Sequence, residues 1–172
     1  MDVCVTHPGR QHSHQLARAL SESNMLAGYW TGVPAAVPSE KGQMYRLLAQ
    51  WSPQSTVGLP ADLVHQVYIE PLVRRIAGRL LPPSQAIDWR HRAMGWFDFW
   101  CAQNLPEDIE AVVCYENAAL YTFREAQARG VTTILDTASF HHETQDAVYQ
   151  PVESPAAHAR ITARKDEEIA LA

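Results

Sequence analysis

The feature that most limits how this chain can fold is a short, unbroken apolar run that recurs with a helical pattern after it. Ala111-Val112-Val113-Cys114-Tyr115 offers solvent no polar face, so a strand there has to be covered on both sides, as in a parallel sheet. Val3-Cys4-Val5-Thr6 and Thr132-Thr133-Ile134-Leu135 have the same β-branched, apolar character. Leu16, Ala17, Ala19 and Leu20, continuing toward Asn24-Met25, form a helical face after the first run, with Ser13 available as N-cap. Ala119, Leu120, Phe123, Ala126 and Gln127 do so after the second, with Asn117 to cap the start and Gly130 to end it. The short link from Gly130 to the third run is ordinary for a helix-to-strand connection. Weaker strand patterns at Ala27-Gly28-Tyr29-Trp30-Thr31-Gly32-Val33 and Leu63-Val64-His65-Gln66-Val67-Tyr68-Ile69 bring the total to about five. The expected class is α/β, a Rossmann-like, doubly wound and mainly parallel sheet with helices on both faces.

At 172 residues, one domain is expected, since domains usually run to roughly 100–200 residues. With 47% apolar and 19% charged residues, the composition is globular rather than disordered. No apolar run approaches the roughly 18–20 residues that span a bilayer, and Met1-Asp2 leads into the first strand with no basic leader, so neither an exported nor a transmembrane protein is expected. The net charge of -5 opposes general attraction to nucleic acid, and no nucleic-acid partner is expected. Cys4, Cys101 and Cys114 are an odd number without Cys-x-x-Cys spacing, which points to buried thiols in a reducing cytoplasm.

Residues 34–60, with Pro34, Pro38, Pro53 and Pro60, read as a loop excursion holding one short helix. After Pro82-Pro83, residues 86–104 read as a helix in which Trp89, Ala93, Trp96 and Trp100 recur as a stripe. Such a stripe can stack on sugars, but packing against the sheet is the expected role. Between residues 70 and 95, Arg74, Arg75, Arg79, Arg90 and Arg92 stand against Glu70 and Asp88, a local charge of +3. Leu72, Val73, Ile76, Ala77, Leu80 and Leu81 interleave with these arginines as a core helix with a solvated basic face would. The same pattern suits an amphipathic helix on an anionic membrane, and residues 71–92 are the stretch for such peripheral contact.

Ligands in an open α/β sheet bind beyond the carboxyl ends of the strands, and the segments there are polar. They are His7-Pro8-Gly9-Arg10-Gln11-His12, Tyr115-Glu116-Asn117 and Asp136-Thr137-Ala138-Ser139-Phe140-His141-His142-Glu143. The first leads into a helix, whose free N–H groups suit a phosphate or a sugar hydroxyl. Gly9 permits close backbone approach and Arg10 adds a fork of donors. Neither Gly-x-Gly-x-x-Gly nor a phosphate loop ending Gly-Lys-Ser/Thr is present. His12 and His14, with His7, Asp136, His141 and His142, suggest a metal set. On a helix, however, residues two apart point nearly opposite ways, so structural or hydrogen-bonding histidines are expected and no metal site.

As a set, residues 7–20 (His-Pro-Gly-Arg-Gln-His-Ser-His-Gln-Leu-Ala-Arg-Ala-Leu), Tyr115 to Ala126, Ile134-Leu135-Asp136 with its loop, and Arg164 to Ala172 resemble the N-terminal half of GT-B glycosyltransferases of family 4. The resemblance covers most of the chain, with little from 34–105. It implies the acceptor-side domain of an enzyme that moves a sugar, with retention, from a nucleotide-diphosphate sugar to a saccharide or lipid-linked acceptor, with no tightly bound cofactor. By the same resemblance Gly9, Arg10, Gln11 and His12 border acceptor and donor phosphates, and Tyr115, Asn117, Asp136 and His142 are further binding positions. Glu116 and His141 are the catalytic candidates, with His141 and His142 interchangeable in the alignment. The donor half, with its Glu-x7-Glu pair, has no counterpart before Ala172, and the last helix reads as the one before a further strand. A piece of a longer protein is therefore expected, and catalysis by this chain alone is not. The competing readings are a metal-dependent hydrolase using the histidines and Asp136, and a non-catalytic binding domain; a nicotinamide oxidoreductase lacks its glycine fingerprint.

Overall fold

The computed structural model describes residues 1–9, 12–33, 58–137, 144 and 151–172. Its centre is a parallel sheet of five strands, β1 (Val3–His7), β2 (Leu26–Thr31), β3 (Val64–Gln66), β4 (Ala111–Tyr115) and β5 (Thr132–Asp136), in the order β3-β2-β1-β4-β5. The helices are α1 (Ser13–Glu22), α2 (Ile69–Leu80), α3 (Pro83–Gln103), α4 (Leu120–Ala128) and α5 (Pro155–Ala170). The expected doubly wound α/β architecture is the one observed.

The unbroken apolar runs serve two cores at once because successive strand residues face opposite ways. Cys4, Val112 and Cys114 join Trp30, Phe97, Cys101 and Phe123 under α3 and α4. Val3, Val5, Ala111, Val113 and Tyr115 join Ala17, Leu26 and Tyr29 under α1. All three cysteines are free and buried, and burial raises each thiol's pKa well above the ordinary value. Gly130, at φ +71°, ends α4 where Val131 N–H reaches back to the Ala126 carbonyl at 2.9 Å.

Several expectations are corrected. The strand expected over 63–69 is three residues long, because α2 begins at Ile69 with Pro71 in its first turn, where the missing N–H costs nothing. Residues 132–135 were expected to be covered on both faces, but β5 is a sheet edge with Ile134 42% exposed. Ser13 opens α1 as its first residue instead of capping it; its hydroxyl is buried against the Tyr29 hydroxyl at 2.8 Å. The excursion expected over 34–60 falls mostly outside the described residues.

The tryptophan stripe is also on the other side from the one expected. α3 buries Ala93, Phe97 and Cys101 and leaves Trp89, Trp96 and Trp100 exposed. The buried residue Asp98 explains the orientation. At about 100° per residue, Trp89, Trp96 and Trp100 lie nearly opposite Asp98 on the helix, so turning its carboxylate inward turns them out. α2 likewise buries Glu70 and Ala77 and exposes Leu72, Ile76 and Leu80, so its apolar stripe is not core.

What α3 brings inward is the anchor of α4. The four amides left unpaired at a helix start are all accounted for here by carboxylates from other helices. Ala119 and Leu120 donate to Glu168 Oε1 at 3.1 and 3.3 Å, while Tyr121 and Thr122 donate to Asp98 at 2.8 and 3.0 Å. Arg164 of α5 bridges the two acids, bonding both Asp98 and Glu168. Asn117, expected to cap this helix, instead takes φ 72° and donates its backbone N–H to Glu168 Oε2 at 2.7 Å.

Gly32 closes the sheet edge. Its N–H donates to the Pro8 carbonyl at 3.1 Å, and a Cβ there would lie 2.5 Å from that oxygen and 2.7 Å from the Pro71 ring. Gly32→Ala is expected to lower stability by about 1–3 kcal/mol through backbone displacement. Gly78→Ala on α2, with nothing within 4 Å of the new methyl, should raise it by about 0.5–1 kcal/mol. Urea midpoints of the two variants, moving in opposite directions, check the pair.

Candidate functional site

Because all five strands are parallel, β1, β4 and β5 deliver their following loops to one edge, with the reversal of strand order between β1 and β4. His7, the last residue of β1, is buried and accepts a hydrogen bond on Nδ1 from the Gly9 N–H at 3.0 Å. Its ring meets the Tyr115 ring edge-on, with centroids 4.7 Å apart. Pairing Tyr115 with Asp136 in the β4 and β5 register places these two strand-end side chains next to each other. Burial, then the charge of Asp136, raises the Tyr115 hydroxyl's pKa and holds the phenol neutral. Burial lowers the His7 pKa, helped by the Arg90 charge and opposed by the Gly9 hydrogen bond and Asp136.

Glu116 is ion-paired at 3.0 Å with Lys165 of α5, which is 8% exposed. Asn117 contributes its backbone amide to the Glu168 anchor described above. His12 is exposed at the N-cap position of α1 and makes no side-chain cap bond, whereas His14 is buried. The two histidines therefore point apart, as the helical spacing requires. Among the described residues, no three of His, Cys, Asp and Glu gather as a metal would need.

His7, Gly9, Tyr115, Glu116, Asn117 and Asp136 thus share one rim. Arg10, Gln11, His141 and His142 lie outside the described residues. Lys165 and Arg90 also reach this rim, where the sequence pattern gives little reason to expect them. Lys165 carries a weak signal in the basic pair Arg164-Lys165, and Arg90 arrives only because the α2–α3 hairpin is rooted at the same edge. The rim offers donors from Arg90 and Lys165 and acceptors from Glu116 and Asp136, a mixture suited to hydroxyl-rich ligands. The start of α4, by contrast, is taken by the protein's own carboxylates and is no place for a phosphate.

Beside the rim, α3, α5 and the β4–α4 loop enclose an open cavity of about 480 Å³, within the range of small-ligand sites. Trp96, Phe99 and Tyr121 line it together with Arg92, Arg160 and Arg164. Its charges are internally balanced: Arg92 and Arg160 share Asp88, and Arg164 holds Asp98 and Glu168. His91, also in the lining, has its pKa lowered to about 4 by burial and then by Arg90. No family model, curated protein or solved structure matches this chain.

His7 and His91 are neutral at pH 7 in the folded chain, whereas histidines in an unfolded chain protonate near pH 6.5. Below that pH the unfolded chain binds more protons, so their stability contribution, complete above about pH 6.5, is lost as the pH falls toward about 4. His91→Gln should remove about 1–2 kcal/mol of the stability lost between about pH 7 and 5. Urea midpoints at the two pH values measure this, and an identical loss in parent and variant would refute the assignment.

Proposed function

We propose that this chain is the acceptor-side domain of a retaining glycosyltransferase that moves a sugar from a nucleotide-diphosphate sugar to a saccharide or lipid-linked acceptor. One observation carries the reading: the polar loops after β1, β4 and β5 leave the same carboxyl edge, beside the strand-order reversal, and their described residues mix donors and acceptors there. The sequence resemblance supports it independently, since the residues carrying it begin those loops.

In this reading Gly9, Arg10, Gln11, His12 and the start of α1 receive hydroxyls or a phosphate oxygen. Tyr115, Asn117, Asp136 and His142 bound the acceptor, while Glu116 and His141 are the groups nearest the transferred sugar. Glu116 accepts from Lys165 at 3.0 Å and so enters as a carboxylate held in a fixed orientation, a better hydroxyl acceptor than a proton donor. The departing diphosphate would need more positive charge than Arg10 brings, since Arg90 and Lys165 are already paired with Glu70 and Glu116. Its main stabilisation belongs to a second, donor-binding unit, and turnover is expected only when such a unit is supplied.

NMR titration with a panel of neutral oligosaccharides, and separately with UDP-glucose and GDP-mannose, tests the proposal. A saccharide should shift the amides of Gly9, Tyr115, Glu116 and Asp136 together, with nucleotide sugars binding more weakly. Asp136→Asn and Arg10→Ala should each weaken saccharide binding by about tenfold, the effect of losing one hydrogen bond to a charged group. Stoichiometric zinc lost with His12 or His14 would favour a hydrolase instead. Saccharide shifts scattered away from the rim would end the proposal.

A further inference from the structure

α2 and α3 form a helical hairpin joined through Leu81 and Pro82, with α2 packed along α3. Its root is fixed at the carboxyl edge of the sheet, where Pro71 abuts Gly32 and where buried Glu70 bonds Arg90 at 3.2 Å. From Glu70 to the turn is about ten residues, so the tip stands about 15 Å beyond that ion pair.

The surface carried by this hairpin is apolar and exposed. Leu72, Ile76 and Leu80 recur every fourth residue along α2 and are 37%, 49% and 76% exposed, rising toward the tip. Pro82 and Pro83 continue the exposed apolar surface around the turn. At about 100° per residue, Arg79 and Arg75 run along one border of the leucine and isoleucine stripe. The two acids of this region do not face it: Glu70 is buried between Arg74 and Arg90, and Asp88 is held by Arg92 and Arg160. The tip therefore presents apolar side chains edged by cations in a chain whose net charge is -5.

We infer that the tip of the α2–α3 hairpin docks on an anionic lipid surface. Ile76 and Leu80 enter the boundary between headgroups and acyl chains, and Arg79, with the stems of neighbouring arginines, pairs with lipid phosphates. A second copy of the chain is a poorer occupant, because a two-fold contact through this stripe sets the same arginines against one another. None of the described helices is long and apolar enough to cross a bilayer, so the contact is peripheral. The hairpin is rooted beside His7 and Gly32, so docking brings the carboxyl-edge rim near the membrane. The inference does not depend on the transferase reading, since vesicle binding requires no turnover.

Flotation with phosphatidylcholine vesicles containing phosphatidylglycerol, against pure phosphatidylcholine vesicles, tests it. The chain should float with the anionic vesicles, release at high salt and bind the neutral ones weakly. Arg79→Ser should weaken binding about fivefold, matching the worth of one arginine near an anionic surface. Ile76→Ser with Leu80→Ser should weaken it by about tenfold or more, with an unchanged circular-dichroism spectrum because both side chains are exposed. Equal binding to the two vesicle types, or binding untouched by the double substitution, would overturn the inference. So would dimerisation in the absence of lipid that the same double substitution abolishes, since the stripe would then be a protein interface.

Discussion

Two buried carboxylates hold this fold in its functional arrangement. Asp98 and Glu168 are fully buried, come from two different helices, α3 and α5, and converge on the four orphan amides that start α4. Placing two acids there is costly unless they are compensated, and the structure compensates them with backbone N–H groups, the helix dipole and Arg164. Burial still raises the Glu168 pKa, with Arg164 and the amides of Ala119 and Asn117 opposing that rise. The geometry has a consequence for function: α3 and α5 are tied to the loop that follows β4, and that loop is one wall of the carboxyl-edge rim.

The same constraint distributes the surface. Turning Asp98 inward turns Trp89, Trp96 and Trp100 outward, and Trp96 joins Phe99 and Tyr121 in the aromatic lining of the cavity between α3 and α5. Tying α5 down places Lys165 against Glu116, so the acid of the loop after β4 is held in a fixed orientation. The start of α4, its amides taken by Asp98 and Glu168, is closed to an external anion. The α2–α3 hairpin, rooted at the same edge through Pro71 and Glu70, carries Arg79 away from the sheet and keeps Arg90 at the rim.

The sequence was readable where one local pattern had a single physical solution. The run Ala111 to Tyr115 is β4 to the residue, because an unbroken apolar segment of that length has to be covered on both faces. Gly130 ended its helix for an equally local reason, its positive φ. Pattern failed where the deciding partner was remote. Asn117 looked like the cap of α4, but the acceptors lie at Asp98 and Glu168, and nothing near residue 120 announces them. The tryptophan stripe of α3 has the right period for a core, and so does the stripe through Ala93, Phe97 and Cys101; only the burial of Asp98 chooses between them. Of the candidate rim, the residues at strand ends were legible because parallel strands must release their loops at one edge. Lys165 and Arg90 were not, since both come from helices whose docking depends on tertiary contacts.

The central claim is that the chain's own carboxylates occupy the start of α4 and lock the β4 loop. Amide hydrogen exchange of Ala119, Leu120, Tyr121 and Thr122 measures it most directly. The account predicts that all four exchange only through global unfolding, and that Asp98→Asn accelerates Tyr121 and Thr122 ahead of Ala119 and Leu120. Rapid exchange of all four amides in the unaltered chain, at rates typical of a frayed helix end, would contradict it.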